Sequence, residues 1–148
     1  MNNENAVEVL NSLIIINNDR IAGYETALDE TIDADLKALF SDCIQTSQAC
    51  KSELVAEVNK IGGKPSEGTR LDGKIYRSWM EFRSMVTGDD PKTILGLCEK
   101  GEDVALNTYE KTLKEKDLPA SLTSLVTAQY NKIKIDHDKV RNMRDAAA

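Results

Sequence analysis

The stretch 7–28, VEVLNSLIIINNDRIAGYETAL, decides the fold of this chain. Val7, Leu10, Leu13/Ile14, Asn17, Ile21, Tyr24 and Leu28 recur at intervals of three and four. That spacing puts them on one face of an α-helix, the seam that a bundle helix turns toward its partners. The end of the stretch, Tyr24-Glu25-Thr26-Ala27-Leu28, returns far along the chain as Tyr109-Glu110-Lys111-Thr112-Leu113. Aligning the two copies sets Asn17 opposite Glu102 and Ile21 opposite Leu106. The echo fits two helical hairpins related by a pseudo-twofold axis and joined by a long crossover.

Working outward, the spacing predicts helices over about 6–30, 33–61, 91–116 and 119–145. The second has the seam Leu36, Phe40, Cys43, Ser47, Cys50, Leu54 and Ile61, with Asp33 as its cap and Gly62-Gly63 and Pro65 as its stop. So few residues separate the first two helices that they form an antiparallel hairpin. The third opens on Asp90-Pro91 and carries Leu95, Cys98, Glu102, Ala105, Tyr109 and Leu113. The fourth opens at Pro119 and carries Leu122, Val126, Tyr130, Ile133, His137, Val140 and Arg144. Between the hairpins a turn-rich loop leads to a short helix over about 71–86. Its apolar residues Ile75, Tyr76, Trp79, Met80 and Phe82 pack across the bundle or form a dimer contact, since clustered aromatics and Met mark interfaces. The whole chain, 1–148, reads as one all-α domain.

Composition sets limits on function. The 148 residues are 41% apolar and 30% charged, neither a disordered nor a membrane-spanning composition. The first residues, Met1-Asn2-Asn3-Glu4-Asn5, lack the pattern of a secretory signal, so a cytoplasmic location is expected. A net charge of −6 without a Lys/Arg cluster argues against nucleic acid as a partner. Cys43, Cys50 and Cys98 lie on or beside apolar seams and read as reduced, buried small hydrophobes.

Four seam positions break the apolar pattern: Asn17, Ser47, Glu102 and His137, one near the middle of each main helix. Polar groups meeting at mid-bundle are the way such folds build metal and cofactor sites. A buried imidazole needs hydrogen-bond partners, and Glu102 is the obvious one for His137. Asn17 suits a role in fixing helix register. Ser47 is able to bond back to the carbonyl of residue 43.

Several segments resemble one family. Glu102-x-x-Ala105-x-x-x-Tyr109 is similar to the carboxylate helix of ferritin-like proteins, as is a second helix ending Ile61-Gly62-Gly63-Lys64-Pro65. Together with Arg77-Ser78-Trp79-Met80, Cys98 through Asp103 and His137 through Asp145, they resemble an uncharacterised bacterial family, a ferritin-like four-helix bundle of unknown function. The resemblance implies a long crossover between helices two and three, and it brings no established activity. The wider superfamily implies a di-iron site, with a carboxylate from each of two helices and Glu-x-x-His from each of the other two. Here those positions read Asn17, Ser47-x-x-Cys50, Glu102 and Lys134-x-x-His137. Only Glu102 and His137 match, and the single histidine rules out a two-histidine site.

Three readings stay open. The leading one is a non-enzymatic structural or interaction module without cofactor, self-associating or bound to an unidentified protein partner. The second is a metal-binding or oxidoreductase protein with a reduced site at Glu102 and His137, completed by Cys50. The third is a small-ligand binder with a cavity of roughly a few hundred Å3 lined by Asn17, Ser47 and Tyr109.

Overall fold

A computed structural model describes residues 1–68 and 91–147. Four helices make up the bundle: α1 (Asn3–Glu30), α2 (Ala34–Lys60), α3 (Pro91–Leu113) and α4 (Ala120–Ala146). The helix expected over 71–86, with Ile75, Tyr76, Trp79, Met80 and Phe82, lies outside the described residues. There are no strands among the described residues.

Helix ends follow local chemistry. Asn2 accepts a hydrogen bond from the Asn5 amide, so α1 starts three residues earlier than its apolar pattern alone suggested. Asp33 accepts from the amides of Asp35 and Leu36 at the start of α2. At the other end Gly62 takes φ +78°, and the amides of Gly62 and Gly63 return to the carbonyls of Asn59 and Val58. A left-handed glycine just past the last turn is a common helix stop, because only glycine adopts it without a Cβ penalty. The first turn of α4 has no side-chain cap; Pro119 supplies the break in the chain.

Packing gives the topology. α1 packs on α2 and α3, and α4 packs on α3 and α2. In a plain up-and-down bundle α2 would instead lie beside α3, and α1 beside α4. Here the link from α2 to α3 therefore crosses a diagonal. Its first part is tied along α1. Asn11 donates to the Lys64 carbonyl at 3.1 Å and accepts from the Ser66 amide at 2.9 Å; Asn18 donates to the Gly68 carbonyl at 2.9 Å. The strap thus climbs α1 from the end where α2 stops and reaches the middle of α1 at Gly68.

The echo noted in the sequence becomes geometry at the centre. Tyr24 on α1 donates to Glu102 on α3, and Asn17 on α1 donates to the Tyr109 hydroxyl on α3 at 2.8 Å. Each tyrosine thus bonds to the residue that the alignment sets opposite its own half's polar position. Such a reciprocal pairing is what a pseudo-twofold between antiparallel helices produces. Around it, Leu10, Leu13, Ile14, Phe40, Leu54, Ile94, Leu95, Val126, Ile133 and Val140 form a continuous buried core. Cys43, Cys50 and Cys98 are free and buried.

Candidate functional site: a buried arginine at the bundle centre

The dominant group at the centre is Arg20, only 4% exposed. It stands three residues after Asn17 and four before Tyr24, on the inward face of α1. Its Nη1 donates to Ser47 Oγ on α2 at 2.5 Å, and its Nη2 donates to Glu102 Oε1 on α3. The same Nη2 lies 3.5 Å from Asp136 Oδ2 on α4. The guanidinium carbon also sits 5.5 Å from the centroid of the Tyr24 ring, within cation–π reach. Tyr24 in turn packs on Phe40, with ring centroids 5.6 Å apart. One cation thus touches all four helices.

Electrostatics keep that cation charged. Burial opposes the charge on Arg20, but attraction to Glu102, followed by Tyr24 and the hydrogen bond to Glu102, together outweigh it, and the guanidinium pKa stands above its ordinary value. Tyr24 is pushed the other way, toward staying neutral, first by burial and then by the Glu102 carboxylate. Burial likewise raises Cys43 and Cys98 and pushes Cys50 up to about 11, so these thiols remain protonated and unreactive near neutral pH.

Beside this cluster runs a second polar chain. Asn17 donates to Tyr109, Tyr109 donates to Gln129 Oε1 at 2.7 Å, and Gln129 donates to the Cys50 carbonyl at 3.1 Å. The chain passes from α1 to α3 to α4 to α2. A polar network that engages every helix penalises any shift in register, because a shift orphans buried donors and acceptors. The cavity against Arg20, Tyr24 and Glu102 measures ≈ 10 Å³, room for about one water molecule. Asn17, Ser47 and Tyr109 are fully buried, and none of them lines this cavity.

Asn17, Ser47, Glu102 and His137 are all buried, but the structure divides them. Arg20 brings Ser47 and Glu102 together, and Asn17 joins the tyrosine chain. His137 does not pair with Glu102. Its Nε2 lies 2.9 Å from Asp103 Oδ1 and its Nδ1 lies 3.2 Å from Asp138 Oδ1. One residue along a helix turns a side chain by about 100°. Glu102 and Asp136 point inward, so Asp103 and His137, one position further on each, face the seam between α3 and α4. Cys50 contributes its carbonyl to Gln129 and does not gather with Glu102 and His137 into a metal-ligating group among the described residues.

Three central residues escaped the sequence reading: Arg20, Gln129 and Asp136. Each is an alternative seam position, beside Ile21, Tyr130 and His137. Counting by three or four permits either neighbour, and a hydrophobicity rule picks the apolar one. Their shared signal was complementary charge or hydrogen-bonding capacity at matching depth on different helices.

The architecture defines a ferritin-like four-helix bundle. The chain belongs to the family described as a domain of unknown function, DUF2383, whose model matches residues 5–115. It is similar in fold to a two-domain protein from Anabaena variabilis containing DJ-1/ThiJ/PfpI-like and ferritin-like domains, with a TM-score of 0.78 and 16% identity. That match covers 99% of this chain and 40% of the other, so the chain spans well under half of that protein. No curated protein matches the chain. No described helix is long and apolar enough to cross a membrane.

A di-iron centre, which this fold implies, does not fit the residues present. Of the expected donors, Glu102 alone is a carboxylate pointing inward. Lys134 turns outward to Asp138 at 2.8 Å, and the place between the central carboxylates holds the guanidinium of Arg20.

Proposed function

We propose that this chain is a single bundle domain with a structural or interaction role, not an enzyme, in which Arg20 stands where ferritin-like metalloproteins hold metal. The observation that carries this reading is the guanidinium set among Ser47, Glu102 and Asp136. A fixed organic cation compensates the buried carboxylates, takes no part in redox chemistry and leaves no ligand position for a substrate. The buried, protonated thiols and the tightly filled centre support the same reading. So does the fold neighbour, in which a ferritin-like domain is one part of a two-domain protein. In this reading the protein is bacterial and cytoplasmic. It associates with a second copy or another protein, and Ile75, Tyr76, Trp79, Met80 and Phe82 supply apolar contact area.

Two measurements test this. Arg20→Met keeps the bulk and removes the charge, leaving Glu102 and Asp136 facing each other without a cation. Urea unfolding is expected to show a loss of about 3–5 kcal/mol, the usual cost of breaking a buried ion pair from one side. Aerobic incubation with Fe(II) is expected to give oxidation no faster than buffer. Stoichiometric iron oxidation that disappears in Glu102→Gln would refute the proposal.

A further inference from the structure

We infer that the seam between α3 and α4 carries a mononuclear site for a divalent transition metal, with zinc the best match, held by Glu99, Asp103 and His137. This site is separate from the arginine-filled centre. The three side chains offer two carboxylate oxygens and one imidazole nitrogen, all within 4.8 Å of one another. Glu99 and Asp103 are four residues apart, so one face of α3 presents both, and His137 reaches them from α4. His137 Nε2 and Asp103 Oδ1 are 2.9 Å apart. Ligand atoms around tetrahedral zinc stand roughly 3.4 Å from each other, given metal–ligand bonds near 2.1 Å. Small side-chain adjustments therefore seat the ion.

The surroundings of the His137 ring fit the assignment. Both ring nitrogens of His137 face carboxylates, Nδ1 toward Asp138 at 3.2 Å and Nε2 toward Asp103 at 2.9 Å. A bound ion takes the Nε2 lone pair of an imidazole that gives its Nδ1–H away, and Asp138 Oδ1, 3.2 Å from Nδ1, stands where that acceptor is needed. A carboxylate behind the distal nitrogen is the common outer shell of a metal-bound histidine.

Arg144 donates from Nη1 to Glu99 Oε2, which leaves the other Glu99 oxygen for the ion. Imidazole together with two carboxylates favours zinc over magnesium or calcium, which take oxygen ligands alone. An adjoining recess of ≈ 520 Å³, lined by Thr93, Gly96, Leu97, Glu99, Lys100, Asp103 and Arg144, gives water access to a fourth coordination position.

Because the chain has one histidine, a single imidazole reports on the site. The test adds Zn2+ alone to chelator-treated full-length protein and follows the imidazole proton signals by NMR, with calorimetry for stoichiometry. The expected result is one equivalent bound, with the imidazole signals shifting to a plateau at one-to-one. Asp103→Asn replaces a side chain that is 61% exposed, so the fold is retained, as circular dichroism will verify. It is expected to weaken binding by roughly tenfold or more. Imidazole signals that stay fixed under excess zinc, or equal affinity in Asp103→Asn, would overturn the assignment.

Discussion

Arg20 and Tyr109 solve one problem in two ways. Each is a polar group forced into the centre by its place on an inward face, and each is satisfied by partners on other helices. Arg20 relies on charge; Tyr109 relies on direction, accepting from Asn17 while donating to Gln129. Tyr109→Phe removes both roles. Asn17 Nδ2 keeps its bond to the Leu13 carbonyl, but Gln129 Oε1 loses its donor. The expected loss is about 1–3 kcal/mol, the cost of a buried polar atom left unsatisfied, read as a lower urea midpoint with an unchanged slope. A variant as stable as the parent would show that the tyrosine chain adds nothing. At this scale the sequence was only partly legible. Asn17, Ser47 and Glu102 stood out because they replace expected apolar residues. Arg20 and Asp136 did not, because long charged residues flanking a seam are normally solvated and only their partners on other helices reveal them.

Helices were easier to read than their contacts. Periodicity located all four, and the Asp33 cap and the Gly62 stop were visible as residue types with fixed structural uses. The strap after α2 was not, because Asn11 and Asn18 look like ordinary surface residues until the chain returns to them. Glycines along these elements differ in an instructive way. A Cβ on Gly63 would run into Val7 Cγ2 and stand 3.1 Å from Val58 Cγ1, where the strap presses on α1. A Cβ on Gly96, within α3, would meet nothing within 4 Å. Gly63→Ala is therefore expected to cost about 1–3 kcal/mol by overpacking. Gly96→Ala is expected to gain about 0.5–1 kcal/mol through helix propensity. Thermal melts of the two variants moving in opposite directions would confirm the contrast; a shared direction would contradict it.

At the scale of the whole molecule, buried thiols and phenols among the described residues share one bias. Burial raises Cys43, Cys50, Cys98, Tyr24 and Tyr109. On unfolding, thiols return to an ordinary value near 9.0, whereas folded Cys50 keeps its proton to about 11. Above that ordinary value the unfolded chain sheds protons that the folded chain retains. Stability is thus complete below it and declines as pH rises toward and through the folded values. Urea midpoints measured from about pH 7 to about pH 10.5 are expected to fall steadily above about pH 9; a flat profile would argue against deeply buried thiols and phenols. The overall topology was legible because one short echo, Tyr24–Leu28 against Tyr109–Leu113, already implied two related hairpins. The difference between those hairpins has a consequence for assembly. The first half brings the guanidinium, and the same alignment sets Ala105 opposite Arg20; the second half brings Glu102 and Asp136. Two first halves docked together would confront cation with cation, and two second halves anion with anion. Only the pairing of a first half with a second sets the buried guanidinium against Glu102 and Asp136.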